Sequence, residues 1–238
     1  MQTARWPRAY GLEPKEGNAA LAHDGRDSYG QSMRRWLWDL LGRWRDARLH
    51  SQDLAALRAR FRASSRGARA SAGEAREALR LRRLRREILA TLGEVQACRS
   101  CARGHPLPHG RWEGGHCCGA VTLDIFCDDE VAALQLGGAR PRDLRAPRGG
   151  RANSGCAFRG PRGCSLSAAC RPNLCVRFLC QELRAELRSR GDFGRLVKLI
   201  TELRRTFGRF QALRAARLEA RADEEMEAAL RASLEPAP

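Results

Sequence analysis

Apolar residues recur at steps of three and four positions along both ends of the chain, which is the spacing of one face of an α-helix. In the N-terminal part this spacing marks three stripes, which consist of Trp36, Leu37, Leu40, Leu41 and Trp44, of Leu54, Leu57 and Phe61, and of Leu81, Leu84, Ile88, Leu92 and Val95. Towards the C-terminus it joins Leu183 with Leu187, and then Leu196, Leu199, Ile200, Leu203, Phe207, Phe210 and Leu213. The pattern predicts helices in both parts, with their apolar stripes packed in a core.

Capping residues and glycine mark several of the helix boundaries. Ser71 stands three residues before Glu74, which is the spacing of a capping box at the start of a helix. Gly191 predicts the end of one C-terminal helix, and Asp192 predicts the cap of the next. The acidic sequence that begins at Asp223 predicts only a last helical turn or two.

The middle of the chain lacks this helical period. The apolar, partly β-branched run Val121–Phe126 predicts a short strand. Asp128 or Asp129 can cap a short helix over Glu130–Leu136, which a pair of glycines ends. The Arg-, Pro- and Gly-rich sequence from there to Gly155 predicts a loop.

The chain is strongly basic, with a net charge of +17, and all but two of its 44 basic residues are arginine. Such a charge raises the question of nucleic acid, because contacts between basic side chains and phosphates supply affinity without sequence preference. Here the arginines alternate with Leu and Ala along helical stretches, where their stems can cover apolar surface while their heads remain hydrated. The diffuse charge favours a solvated surface over a nucleic-acid-binding site.

No targeting or membrane-spanning segment is evident in the sequence. Residues Met1–Tyr10 lack the apolar core of a signal peptide, and no stretch approaches the roughly 20 apolar residues that cross a bilayer. We therefore expect a cytoplasmic protein without a membrane partner. In a reducing cytosol, dense cysteine indicates metal ligation or redox chemistry rather than disulfides, although the even count leaves a disulfide framework open.

The cysteines form one group within the chain. All ten lie between Cys98 and Cys180, and this clustering predicts one module with its own chemistry. Cys98-x-x-Cys101 is a common half-site for zinc and for iron–sulfur clusters, because one tight turn can direct both thiols at a single ion. The adjacent Cys117 and Cys118 favour metal over a disulfide, which would be a strained ring between neighbours.

Eight thiols fit two four-coordinate sites. The candidate metal ligands are Cys98, Cys101, Cys117, Cys118, Cys156, Cys164, Cys175 and Cys180. One site with additional structural cysteines fits the count nearly as well. Nearby arginines could compensate the negative charge of such thiolate sites. The sequence therefore predicts Zn²⁺ or Fe, including an iron–sulfur cluster, as the bound group.

The same residues resemble a known family. The segments that carry the resemblance are Cys98-x-x-Cys101, Gly115-His116-Cys117-Cys118-Gly119, Cys156-Ala157-Phe158, Gly163-Cys164-Ser165 and Arg171-Pro172-Asn173-Leu174-Cys175. Together they look like the zinc- or iron-chelating domain of the CxxCxxCC (YkgJ-type) family, over about a third of the chain. The resemblance implies metal chelation without a defined reaction, and one branch of that family is similar to flagellin lysine methylases.

The chain departs from the family pattern at one point, because fifteen residues rather than two separate Cys101 from Cys117. This insertion carries three histidines, which makes a histidine ligand conceivable; they are His105, His109 and His116. Cys127 and Cys170 have no counterpart in the pattern, and we expect structural or free thiols at both positions.

The predicted fold is mainly α, with helical N- and C-terminal arms flanking an irregular Cys-rich metal-binding module that has at most one or two short strands. The predicted divisions are a disordered tail (1–31), an Arg-rich helical region (32–96), the Cys-rich metal-binding domain (97–182) and a C-terminal helical region (183–238). We expect the module to need bound metal because it has few apolar residues. Metal–thiolate bonds could supply the missing folding free energy.

Three functions are compatible with this sequence. The first is a metal-binding protein whose helical arms contact a protein partner or a second copy. The second is a metal-dependent or iron–sulfur redox or modification enzyme, which would need an open coordination position or a substrate pocket. The third is a zinc-stabilised nucleic-acid-binding protein. The sequence does not identify catalytic residues.

Overall fold

The computed structural model describes residues 41, 48–64, 70–94, 122–147, 156–160 and 163–234. Within these residues the chain is mainly helical, as the hydrophobic pattern predicts. The predicted tail at 1–31 lies outside the described residues, as do Val95 and the Trp36–Trp44 stripe except Leu41.

Long helices and short connecting elements share the described part of the chain. Residues 48–64 form helix α1, which is followed by α2 (Ala72–Leu92), α3 (Asp128–Leu136), α4 (Asn173–Arg177), α5 (Gln181–Ser189) and α6 (Phe193–Leu234). Single 3₁₀ turns form at Pro141–Asp143 and Ala168–Cys170. The strands β1 (Arg159–Gly160) and β2 (Gly163–Cys164) pair antiparallel as a small hairpin.

Helices α2 and α6 pack side by side in opposite directions and form the main contact of the fold. At the C-terminal end of α2, Arg190 Nη1 donates a hydrogen bond to the Leu92 carbonyl over 3.0 Å. At the N-terminal end of α2, Arg217 Nε lies 2.7 Å from Glu74 Oε1. Because Arg190 precedes α6 and Arg217 lies far along it, these contacts fix the antiparallel direction.

The first cluster of buried side chains lies between these helices. It is built from the apolar stripes of α2 and α6 with contributions from α3, α4 and α5. Its buried members are Ala78, Leu81, Leu84, Ile88, Leu92, Ala132, Ala133, Val176, Leu179, Leu183, Leu187, Leu196, Ile200, Leu203 and Phe210. The predicted stripes therefore form one core, except that Leu213 is 40 % exposed and Val95 lies outside the described residues.

The second cluster lies beside the first and is assembled from shorter pieces of chain. It combines the predicted stripe of α1 with residues from α3, the hairpin and the connecting turns. Its buried members are Leu54, Leu57, Phe61, Ile125, Phe126, Val131, Leu134, Leu144, Cys156, Ala157, Phe158, Leu166 and Cys170. Residues of the predicted central region thus contribute to both clusters.

The strand predicted over Val121–Phe126 is wrong for its described part, because Thr122–Ile125 form a turn. The Phe126 N–H donates to the Leu123 carbonyl over 3.4 Å, which closes the turn. The Thr122 side chain is fully buried, and its hydroxyl oxygen accepts a 2.8 Å hydrogen bond from the Ala157 N–H. The β-branched Thr122 side chain is therefore buried by a contact with the residues before the hairpin, and it does not belong to a strand.

Helix α3 begins two residues earlier than predicted, and its N-cap is Cys127. Asp128 and Asp129 lie in the first turn, where carboxylates also favour the helix dipole. Their side chains reach other helices: Arg60 Nη2 lies 2.7 Å from Asp128, and Arg214 Nε lies 3.0 Å from Asp129. The two carboxylates therefore form long-range ion pairs, and neither caps the helix as predicted.

The predicted caps of the two long helices are confirmed in part. The Ser71 hydroxyl accepts a 3.1 Å hydrogen bond from the Glu74 N–H, which is one half of a capping box. The Glu74 carboxylate accepts from Arg217. Asp192 precedes α6 as predicted, and its carboxylate accepts a 3.1 Å hydrogen bond from Arg190 Nε.

The C-terminal helix is much longer than predicted. Helix α5 ends before Gly191, in agreement with the sequence, and the positive φ of this residue is one that glycine adopts readily. Helix α6 then continues without a break for 42 residues and passes Asp223, where the sequence predicts only a last turn or two. Ala, Arg and Glu dominate this stretch, and all three favour helix without help from packing.

Candidate metal centre and the buried arginine network

The eight predicted ligands divide between described and undescribed parts of the chain. Cys98, Cys101, Cys117 and Cys118 lie outside the described residues, together with the three histidines of the insertion, His105, His109 and His116. The other four predicted ligands are described; they are Cys156, Cys164, Cys175 and Cys180.

Three of these four thiols belong to the second cluster. Cys156 is buried within it, and the half-buried Cys164 and Cys175 pack against it. Their positions come from different elements, because Cys164 lies in β2 and Cys175 in α4. The folding of these short elements therefore brings distant thiols to one side of the molecule.

Cys180 has a separate environment. It is the N-cap of α5, and its Sγ accepts a hydrogen bond from the Leu183 N–H over 3.4 Å. Its side chain packs against the first cluster rather than the second. The structure thus separates this predicted ligand from the other three described ones.

The two cysteines without a place in the sequence pattern differ from each other. Cys127 is exposed at the start of α3. Cys170 is buried and joins the second cluster together with Cys156. A thiol outside the predicted ligand set is therefore one of the two buried thiols of that cluster.

Among the described residues, no three His, Cys, Asp or Glu side chains form a group that could hold a metal ion. A four-coordinate site that uses the described thiols would therefore need ligands from elsewhere in the chain. Cys98, Cys101, Cys117 and Cys118 are the remaining cysteines of the sequence.

A network of polar side chains is buried where α2, α3 and α4 meet. Arg85 has no exposed surface, although it lies in the middle of α2. Its Nη2 donates to Glu130 Oε1 over 2.5 Å, and its Nε donates to Asn173 Oδ1 over 3.0 Å. The Asn173 N–H donates to the same Glu130 oxygen over 3.1 Å, so that the three residues form a closed set.

The electrostatics of this network follow from its burial. Removal from water lowers the pKa of the Arg85 guanidinium, against the opposing effect of Glu130. The same cause raises the pKa of the Glu130 carboxyl, against the opposing effect of Arg85. Such a pair costs solvation free energy, and each partner depends on the other for compensation.

The network has more donors than acceptors. Arg85 Nη1 and Asn173 Nδ2 are buried and have no hydrogen-bond partner in the described structure. Cys170 lies close enough to Arg85 to be among the groups that influence the pKa of its guanidinium. The 3₁₀ turn that ends at Cys170 packs directly on α2. The unused donors therefore lie in the neighbourhood of a buried thiol.

Sequence reasoning does not single out Arg85 or Glu130 as site residues, although one signal is present. Arg85 stands four positions after Leu81 and three before Ile88, on the apolar stripe of α2. An arginine on the core face of a helix needs a buried partner. Which residue is that partner depends on the tertiary fold, and the spacing of residues along α2 does not predict it.

No described helix is both long enough and apolar enough to cross a bilayer. Comparison of the chain with protein families, characterised proteins and solved structures gives no match.

Proposed function

We propose that this protein binds zinc or iron through clustered cysteine thiolates. The proposed ligands are those of the sequence pattern, namely Cys98, Cys101, Cys117, Cys118, Cys156, Cys164, Cys175 and Cys180. The proposal includes the finer form of the fold, in which a metal-stabilised cysteine module lies between helical arms. Reduced thiols of this kind suit a cytoplasmic setting.

The observation that carries the proposal is the donor-rich network beside Cys170, a buried thiol in the same cluster as the proposed ligands Cys156, Cys164 and Cys175. Arg85 Nη1 and Asn173 Nδ2 are buried donors in need of acceptors, and unsatisfied buried polar groups are costly. Thiolates bound to a metal carry negative charge and accept hydrogen bonds from such donors. The residues present therefore fit an anionic thiolate centre better than a cluster of neutral thiols.

The positions of the described thiols also support this proposal. Cys156, Cys164 and Cys175 share one cluster but do not by themselves provide a binding group. In our proposal they are joined by thiols from the earlier cysteine pairs. When bound, zinc would contribute folding free energy, whereas an iron–sulfur cluster would add electron-transfer chemistry.

The roles of the remaining groups follow from their chemistry. Arg85 compensates negative charge, and Asn173 fixes the orientation of the guanidinium while offering its own amide donor. Glu130 balances the charge of Arg85 from the opposite side. The helical arms carry contacts with a protein partner. The alternative of a metal-dependent or iron–sulfur enzyme remains a prediction of the sequence.

The test compares metal content among cysteine variants. We expect Cys156→Ser and Cys175→Ser to lose bound metal when elemental analysis is performed on protein purified without added metal. Cys127→Ser is the matched control, since Cys127 is exposed and outside the ligand set, and it should retain the wild-type content. Equal metal content in all these proteins would contradict the ligand assignment.

A further inference from the structure

Helix α6 continues past the buried core at its C-terminal end, where Leu218 and Arg221 still line an open groove with the end of α1. Its last buried residue is Phe210, and the Arg217–Glu74 ion pair lies at the N-terminal end of α2. The positions that follow, 218–234, are all exposed. At the rise of an α-helix, about 1.5 Å per residue, they extend for about 25 Å. We call residues 218–234 the projecting segment.

The projecting segment is amphipathic rather than uniformly polar. Apolar side chains at steps of four or eight positions are largely solvent-exposed: Leu218 is 44 % exposed, Met226 66 %, Leu230 62 % and Leu234 75 %. Beside this stripe runs an acidic row, which consists of Glu219, Asp223 and Glu227. An amphipathic helix with an uncovered stripe is typical of a docking element.

The charge of the projecting segment is opposite to that of the chain. It contains five acidic residues and two arginines, a net charge of −3, whereas the whole protein carries +17. Its described ion pairs stay within the helix, where Arg221 contacts Glu225 and Arg231 contacts Glu227. A basic surface with apolar character is therefore the complementary partner for this helix.

Such a surface lies on the outward face of α2. An open groove there has a mostly apolar lining, formed around Leu79, which is 49 % exposed. The other lining residues are Arg76, Glu77, Arg80, Arg82, Arg83 and Arg86. Arginine stems supply apolar area while their heads remain in water. The groove thus offers an apolar floor with a basic rim.

Three of the five arginines on this rim have no partner within the described structure, whereas Arg80 pairs with Glu202 and Arg82 donates to the Gly137 carbonyl. Arg76, Arg83 and Arg86 make no described hydrogen bond or ion pair. The one carboxylate of the lining, Glu77, is already paired with Arg209. The groove, which we call the arginine groove, therefore combines an exposed leucine with three available guanidinium groups.

We propose that the projecting segment docks in the arginine groove of a second copy of this chain. The two surfaces match in charge and in apolar character, and both are exposed in the part of the chain that the structure describes. They cannot meet within one chain, because α6 is a continuous helix that passes the N-terminal end of α2 and leads away from the groove. Reciprocal docking of two copies closes a two-fold dimer.

The proposal concerns surfaces of α2 and α6 and does not depend on bound metal. Its test is the mass of the protein in solution by light scattering during gel filtration, over a series of concentrations. We expect a wild-type dimer with twice the chain mass of 26.5 kDa. Dissociation should increase with salt, because exposed charge pairs are screened.

Charge reversal tests each half of the contact. Arg83→Glu with Arg86→Glu reverses the groove, and Asp223→Arg with Glu227→Arg reverses the segment. Each double variant should be monomeric, because like charges then face each other. All four positions are exposed, so that folding is preserved.

An equal mixture of the two reversed proteins provides the decisive result. Each acidic surface then meets a basic one in a reciprocal contact, and we expect a heterodimer. Arg204→Glu with Arg205→Glu is the control, since it removes the same charge from exposed sites outside the groove and should leave the dimer intact.

Three outcomes would overturn the proposal. A wild-type protein that is monomeric at all concentrations excludes the dimer. A dimer that survives reversal of the groove shows that the segment docks elsewhere, for instance on a second projecting segment. A monomer whose groove binds a short single-stranded oligonucleotide, and loses it on reversal, identifies the groove as a polyanion site instead.

Discussion

The two buried clusters are built from different materials. The first is formed mainly by two long antiparallel helices, whose Leu, Ile and Phe side chains come from regular stripes. The second gathers residues from two helices, a hairpin of two-residue strands and several turns, and it includes buried cysteines. Local periodicity can build the first cluster, whereas the second depends on contacts between distant short segments. Three of the four described ligands that we propose, Cys156, Cys164 and Cys175, belong to the second cluster, whereas Cys180 packs against the first.

Removal of bound metal should give the largest difference between the two clusters. Chelation should increase amide hydrogen exchange by at least about tenfold in residues 156–177, because bound metal supplies folding free energy there. The amides of α2 and α6 should keep their protection. The measurement is exchange mass spectrometry on the full chain with and without chelator, and equal loss of protection in both clusters would refute the division.

Replacement of Arg85 should give the next largest effect. Arg85→Met leaves the Glu130 carboxylate buried without its cation, which should lower the free energy of unfolding by about 3–5 kcal/mol near neutral pH. Urea unfolding measures this change. The same substitution at an exposed arginine of α6, Arg205→Met, is the control. It should change the free energy of unfolding by no more than about 0.5 kcal/mol.

The loss in Arg85→Met should depend on pH. Without the guanidinium, burial raises the pKa of Glu130 further above the ordinary 4.5. A carboxyl with a raised folded-state pKa binds more protons when folded, so its stability contribution is full below the unfolded pKa and is lost as pH rises through the folded pKa. The deficit relative to wild type should therefore grow as pH rises above the raised pKa that Glu130 has in the folded wild-type protein, and adding Glu130→Gln should remove this growth. A deficit that is constant with pH would argue against a charged Glu130.

A cavity in the first cluster should lower the free energy of unfolding somewhat less than the loss of Arg85. Leu203→Ala removes a fully buried side chain between α6 and α2 and should lower the free energy of unfolding by about 2–5 kcal/mol, without dependence on metal. Val197→Ala, on the exposed side of α6, should have little effect. A metal-dependent loss for Leu203→Ala would show that the clusters are not separable.

The smallest effect is expected at the end of the helix pair. Arg217→Ala leaves the buried Glu74 carboxylate without its ion partner and should cost about 1–3 kcal/mol. Thermal unfolding measures this contribution, with the exposed Arg195→Ala on the same helix as the control. An unchanged melting temperature for Arg217→Ala would mean that the ion pair does not stabilise the packing of α6 on α2.

The comparison of the two clusters also separates what the sequence can and cannot predict. The stripes of α1, α2 and α6 are confirmed, apart from the exposed Leu213, because they follow from local spacing. The strand prediction for Thr122 is wrong because its burial serves a contact with Ala157, far along the chain. Arg85 is visible as an anomaly on an apolar stripe, but its partners Glu130 and Asn173 are distant in sequence. The ligand pattern itself remains a prediction.

The most direct test of the account is the metal content of wild-type protein purified anaerobically without added metal, with a visible spectrum. We predict stoichiometric metal: zinc without colour for a structural site, or iron with acid-labile sulfide and a band that reductant bleaches. Folded protein that contains neither zinc nor iron would contradict the proposal. The cysteines would then be interpreted as structural thiols or as disulfides.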